Sequence, residues 1–325
     1  MTPASCCSSR NALQGAAVLI LLRLSTFFCS AVPYTAALAK GMLTASLLQA
    51  AMLLPLLLCT DGHNDPPLLQ KLLRIYAVLH AAVLTVSLCG LHRQEHLPRG
   101  ILLPLLLTAV LLYTVSRSDS ATARAGVLLL CLACAGFLLL PLRWLRFAQP
   151  PGFGMPGSAA AGFLMEWQLS GELPLILLLR ERRQRRDTLC SAGAWAVCKT
   201  AVLPLTVLFG AVQSGEMLPP AGSPFFRMLS REPLTDAVRT DGFWLMLCYA
   251  CTALVITFCL QSAAPMQRGT RRLRIILPYL AAFALFSLSP GLMRMRGAAA
   301  LLTGFLLPAA VYLYRAMRHK KQKPQ

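Results

Sequence analysis

The chain has 325 residues, 56% of them hydrophobic and only 13% charged, with a formal net charge of +19. A soluble domain carries about a quarter of its residues as Asp, Glu, Lys and Arg, so a soluble globular fold is excluded. So is the nucleic-acid binder that such a basic balance suggests in a soluble chain, because here the basic residues sit in loops and at helix ends, where they encode membrane topology.

A spanning helix needs about 20 mostly apolar residues, and such stretches recur from one end of the chain to the other. They predict an all-α polytopic membrane protein with ten spans, at about 15–34, 42–59, 71–91, 100–116, 124–146, 158–179, 190–212, 242–262, 273–289 and 298–316. A short cytoplasmic N-terminus, about 1–14, precedes them, and a basic tail, about 317–325, follows. The run before Cys29 lacks the small residues of a cleavage site and leads into an equally apolar stretch, so it reads as a retained first helix. Between the third and fourth spans, His92, Glu95 and His96 give the HxxEH order of inverted zinc peptidases. The flanking Arg93 and Pro98 and the loop position make that spacing a chance match, and no metal or cofactor is expected. Cys131 with Cys134, and Cys248 with Cys251, have CxxC spacing inside apolar runs; without further ligands nearby they read as helix-packing residues. His80, in the third span, reads as a hydrogen-bonded core residue.

The sixth span contains Glu166, Gly171, Glu172 and Pro174 and makes a poor uninterrupted helix. The basic run Arg180–Arg186 after it suits topology and anionic lipid headgroups. The longest linker, about 215–241, includes FFRMLSREPLTDAV, which predicts a short interfacial helix with Phe225, Phe226, Met228 and Leu229 facing lipid. Lys and Arg are heavier in the loops on the N-terminal side, among them Lys71, Arg74, Arg117, Arg124 and Arg268, which places both termini in the cytoplasm. Ten spans divide into two sets of five, about 15–147 and 158–316, which would lie in opposite orientations as a LeuT-like 5+5 inverted repeat.

Three blocks carry a family resemblance: LLYTVSRSDSATARAGVLLL from Leu111, SGELPLILLLRERR from Ser170, and LTDAVRTDGFWLMLCYACTALVITFCL from Leu234. Their tyrosine-ended fourth helix, Gly-Glu opening and aromatic-rich eighth helix with Arg239, Asp241 and Trp244 resemble the GerAB spore germination proteins, or endospore amino-acid permeases, of the amino acid-polyamine-organocation superfamily. The first span departs from that pattern, having no glycine-rich break. The resemblance implies the integral-membrane subunit of a germinant receptor in the spore inner membrane, sensing a small nutrient such as an amino acid. Its implied partners are a soluble-headed membrane subunit and a lipoprotein. The same superfamily leaves open a proton-coupled amino-acid transporter or a non-binding structural paralogue. A membrane enzyme on lipid-linked substrates is disfavoured, because the acidic residues are few and dispersed.

Charges at membrane depth cost at least about 2.5 kcal/mol each, so they mark candidate sites. Gly171 and Glu172 lie where the superfamily breaks its sixth helix; Glu172 either meets a ligand's ammonium or a proton, or pairs with a neighbouring base. Glu166 reads foremost as an interfacial carboxylate. Arg23, followed by Ser25 and Thr26, either answers a ligand carboxylate or Glu172, or snorkels to the headgroups, the latter being favoured. Lys199, in the middle third of the seventh span beside Trp195 and Cys198, is either a fixed cation in place of a coupling sodium or a structural partner of Glu172 or Glu166. Ser25, Thr26, Gly171 and Glu172 are thus the ligand-binding candidates, with Arg23, Lys199 and Glu166 as buried or coupling charges.

Overall fold

A computed structural model describes residues 3–29, 35–58, 66–94, 102–144, 158–182, 185–214, 225, 240–264, 274–293, 295, 298–299 and 302–311. Among these residues there is helix and turn but no strand. The helices are α1 (Pro3–Phe28), α2 (Ala36–Leu58), α3 (Pro67–Gln94), α4 (Leu102–Val115), α5 (Asp119–Trp144), α6 (Ala159–Leu169), α7 (Leu173–Arg182), α8 (Arg185–Val197), α9 (Leu203–Ser214), α10 (Thr240–Ala263), α11 (Ile276–Leu288) and the single turn α12 (Pro290–Met293). Two π-helical turns join them, Cys198–Val202 between α8 and α9, and Leu302–Leu306 near the C-terminus.

Among the described residues, six stretches are long and apolar enough to cross a membrane: Asn11–Phe28, Ala36–Pro55, Pro67–Arg93, Asp119–Phe137, Arg185–Leu208 and Gly242–Ala263. Leu106–Val115 and Ile276–Leu288 are shorter apolar helices at the expected fourth and ninth spans. The surface these helices present is itself apolar, with Leu47, Leu54, Leu106, Leu128, Leu277 and Leu288 all exposed, while Arg23, Glu166, Glu172 and Lys199 are inside. Apolar outside and charged within is the arrangement of a protein whose solvent is lipid. The chain is therefore an all-α membrane protein.

Helix packing follows the small residues. α2 lies most extensively against α6, where a Cβ on Gly41 would fall on the Ala159 carbonyl oxygen and within 2.8 Å of the Phe163 nitrogen. A Cβ on Gly162 would in turn fall on the Leu38 carbonyl and come within 3.0 Å of Leu38 Cα. Small residues allow such backbone approach, and helices in lipid rely on it because apolar burial drives little association there. α1 packs along α8, with Ser191 Oγ donating to the Ala12 carbonyl at 2.9 Å. α1 also meets α5 and α10; α3 meets α7, α10, α11 and the Leu302–Leu306 turn; α10 meets α4 and α5; and α7 meets that same turn. Two hydroxyl pairs pin these crossings, Thr85 with Tyr279 between α3 and α11 at 2.7 Å and Thr114 with Thr257 between α4 and α10 at 2.8 Å. Gln261 Nε2 donates to the last carbonyls of the α4 end, Thr114 at 3.2 Å and Arg117 at 3.1 Å, satisfying groups a helix end leaves open.

Phe225 departs from the expected lipid-facing position. It is fully buried and packs on Phe28 with ring centroids 4.7 Å apart, on Trp244 at 5.2 Å and on Phe137 at 6.2 Å. Gly136 makes room for the Trp244 ring, which a Cβ there would approach to 2.7 Å. Aromatic rings gain from such edge-on contacts beyond their area, and a buried aromatic cluster at the end of α1 outweighs placement at a headgroup boundary. Phe226, Met228 and Leu229 lie outside the described residues, as do Glu95, His96 and the basic tail. Arg180, expected among the headgroup-facing arginines, is also buried, at 3% exposure.

Valine at Gly41 or Gly162 should separate α2 from α6, because the obstructing atoms are backbone and cannot rotate away. Either variant should lose the monodisperse peak on size exclusion in detergent. Gly193→Val, where a Cβ meets nothing within 4 Å, should retain it.

Candidate functional site

The site begins with a break. α6 starts on Ser158, whose Oγ accepts from the Ala161 amide at 3.0 Å, and ends at Leu169. Pro174 supplies no amide to continue the ladder and is tolerated in the first turn of α7, where amides lack helical partners anyway. Ser170 leaves helical geometry at φ −78° and ψ 52°, and the Glu172 carbonyl restarts the ladder by accepting from the amides of Leu175 and Ile176, each at 3.0 Å. The freed Gly171 carbonyl accepts from Tyr76 Oη of α3 at 3.1 Å. The His80 imidazole, stacked on Tyr76 with centroids 5.7 Å apart, lies so close to Gly171 that a Cβ would fall on the ring. Gly171 is thus required by contact. α1, by contrast, runs unbroken through Arg23.

Two more elements aim side chains at this break. On α2, Gly41, Ala45 and Gln49 recur every four residues and so share a face; the close Gly41 crossing brings Gln49 to Ser170, whose Oγ donates to Gln49 Oε1 at 2.8 Å. On α6, Gly162, Glu166 and Ser170 share a face in the same way, which turns Glu166 inward. Ser191, Trp195 and Lys199 follow the same spacing along the α8 span. Lys199 lies in the π turn, where the Leu203 amide reaches back to the Cys198 carbonyl. Pro204, next in the chain, crowds the carbonyl four residues before it and donates no bond, a local reason for the wider turn.

The result is a closed set of four charges. Arg23 Nη2 is 2.5 Å from Glu166 Oε2, and Arg23 Nε is 4.0 Å from Glu172 Oε1. Lys199 Nζ is 3.1 Å from Glu166 Oε1 and 2.7 Å from Glu172 Oε1, and it also donates to Ser170 Oγ at 2.8 Å and to Gln49 Oε1. The Trp195 ring centroid is 4.8 Å from the same ammonium, within cation–π reach. All four charged side chains are 0–1% exposed. Isolated charges here would be very costly; two of each sign, hydrogen-bonded to one another, offset most of that cost.

The structure therefore brings Arg23, Glu166, Glu172 and Lys199 together, and it corrects two expectations. Glu166 is not interfacial, because its helix face continues from the Gly162 contact into the interior. Arg23 does not snorkel, because Glu166 holds its guanidinium in the bundle. Of the proposed ligand residues, Gly171 and Glu172 form the break, whereas the Ser25 and Thr26 hydroxyls donate to their own helix, to the carbonyls of Leu21 and Arg23, both at 2.8 Å. Thr26 Oγ1 also lies 3.5 Å from Arg23 Nη1, at the margin of the network. Gln49 and Ser170 were not anticipated; the sequence signal is the four-residue spacing from Gly41 and from Gly162. His92, from the chance zinc spacing, hydrogen-bonds Tyr249 at 2.8 Å. Among the described residues no three His, Cys, Asp or Glu side chains are placed to hold a metal.

Fold and site together define an all-α membrane protein with a compensated charge network at a broken helix. No protein family, curated protein or solved structure matches the chain.

Glu166→Gln should leave one uncompensated buried cation and lower stability by about 3–5 kcal/mol. Arg23→Leu combined with Glu166→Leu keeps the charges balanced and should recover most of that loss. Thermal denaturation in detergent, followed by size exclusion, compares the two; equal loss in both would show that charge balance is not what the network supplies.

Proposed function

We propose that this chain is a carrier-shaped membrane protein that binds a small nutrient, such as an amino acid, at the break between α6 and α7. The carrying observation is the break itself: interrupted helices inside a bundle leave backbone and polar groups facing a protein interior, which is where carriers of small solutes bind them. Binding there works by population shift, a ligand favouring whichever arrangement of the bundle it contacts better. No covalent step is required.

We read the architecture as ten crossings arranged in two inverted halves of five, with both termini cytoplasmic. Its support is a correspondence among packed pairs when each crossing is exchanged for the one five places along. The first with the seventh (α1 on α8) becomes the sixth with the second (α6 on α2), and these are the two most extensive contacts. The third with the ninth becomes the eighth with the fourth, and each has its own hydroxyl pair. The first with the fifth becomes the sixth with the tenth, α7 on the Leu302–Leu306 turn; the first with the eighth becomes the sixth with the third. The polar residues follow the same exchange, Arg23 answering Glu166 and Gln49 answering Lys199.

The resemblance to GerAB proteins gives the reading its biological form: the membrane subunit of a germinant receptor in the spore inner membrane, passing ligand binding to a soluble-headed subunit and a lipoprotein. A second reading, a proton-coupled amino-acid transporter, is favoured by the direct contact of Glu172 with Lys199, since a proton on Glu172 would remove one of the two carboxylates that balance that ammonium.

Glu172→Gln should weaken the ligand response at least tenfold in protein that still inserts and elutes at the correct size. An unchanged response in such protein removes Glu172 from the site. Uptake of radiolabelled amino acids into proteoliposomes holding the chain alone separates transport from sensing; flux supports the carrier, and binding without flux supports the receptor.

A further inference from the structure

We propose that Cys29 and Cys248 are a redox pair, closing to a reversible disulfide that fastens the end of α1 to α10. The pair is independent of what the break between α6 and α7 binds.

The ground is where the two thiols sit. α1 packs along α10, and aromatic contacts fix the level at which their ends meet: Phe28 lies edge-on to Trp244, with ring centroids 6.1 Å apart. Cys29 follows Phe28, and Cys248 stands one turn beyond Trp244 on the same face of α10. The next residue of α10, Tyr249, hydrogen-bonds His92 of α3 at 2.8 Å, so a third helix holds the same level. There the Cys29 and Cys248 thiols hydrogen-bond to each other, and both are free. A disulfide needs sulfurs about 2.05 Å apart on Cα atoms about 4.4–6.8 Å apart, and thiol contact across a packed pair of helices brings these two within reach of that geometry.

Exposure divides the labour between them. Cys29 is half-buried, whereas Cys248 is fully enclosed. The Cys29 thiolate therefore attacks an incoming small disulfide, giving a mixed disulfide and one small thiolate. Cys248 then loses its proton and attacks Cys29 Sγ, expelling the second small thiolate. The two protons go to the expelled thiolates and the electron pair passes to the reagent: two protein thiols and one small disulfide become one protein disulfide and two small thiols. An excess of dithiol reverses the exchange. Cys89 of α3 lies close to Cys29, and Cys251 close to Cys248, so the test must separate these neighbours from the pair.

The bond joins two parts of the bundle. α1 carries Arg23 into the charge network, while α10 contributes none of the network's members among the described residues and packs on α3, α4 and α5. Closing the disulfide ties the network-bearing helices to the others at one end and stops movement between them there.

The test treats the purified full chain in lipid nanodiscs with 2,2′-dithiodipyridine, a small lipid-permeable disulfide, blocks the remaining thiols and analyses tryptic peptides without reduction. Peptides 24–40 and 240–268 should be recovered joined, and dithiothreitol should part them. The joined species should be lost in Cys29→Ser and in Cys248→Ser and kept in Cys89→Ser and Cys251→Ser. Closure should raise the melting temperature of the unaltered protein by about 3 °C or more, the usual scale for a cross-link that closes a long loop, and should not raise that of Cys248→Ser. Peptides that stay separate, a link that survives Cys248→Ser, or a closed bond that fails to raise the melting temperature each overturns the proposal.

Discussion

The interior of this protein depends on one ammonium. Lys199 Nζ meets both carboxylates, the Ser170 hydroxyl and the Gln49 amide oxygen. It thereby ties α2, α6, the break and the α8–α9 stretch to one point. Arg23 closes the set from α1. In lipid, where apolar burial does little to hold helices together, such contacts and close backbone packing carry the association. The geometry is stringent because the network is compensated only as a whole: removing one member leaves a buried charge facing others that cannot rearrange into water.

The glycine crossing and the network are one construction. The α2 face that begins at Gly41 ends at Gln49, and the α6 face that begins at Gly162 passes through Glu166 to Ser170. Backbone contact at one end of the pair sets the distance between polar side chains at the other. His80 and Tyr76 do the same from α3, one filling the space beside Gly171 and the other taking its carbonyl.

Much of this was legible in the sequence, for identifiable reasons. Composition identified a membrane protein, and the weakness of the sixth span followed from Gly171, Glu172 and Pro174, which do act to break it. The same tally of apolar stretches was less informative at the fourth and ninth positions, where the helices are shorter than a full span. Depth along a helix placed Lys199 correctly, but depth alone misjudged Glu166 and Arg23, because whether a charge faces lipid or bundle depends on which helix lies opposite. Uncharged polar residues were hardest to see: Gln49 looks unremarkable in an apolar run until its helix face is matched to a partner. Phe225 illustrates the reverse error, since an amphipathic pattern records only that one side is apolar, and an aromatic cluster satisfies that as well as lipid does.

α1 and the α6–α7 pair pass the same network in different mechanical states. α1 keeps its hydrogen-bond ladder through Arg23, so it behaves as a strut. The α6–α7 pair has lost its ladder between Leu169 and Leu173, and the residues there are held by side chains from other helices. Any swing of the bundle at this level finds its soft point between α6 and α7, with α1 as the stiffer member.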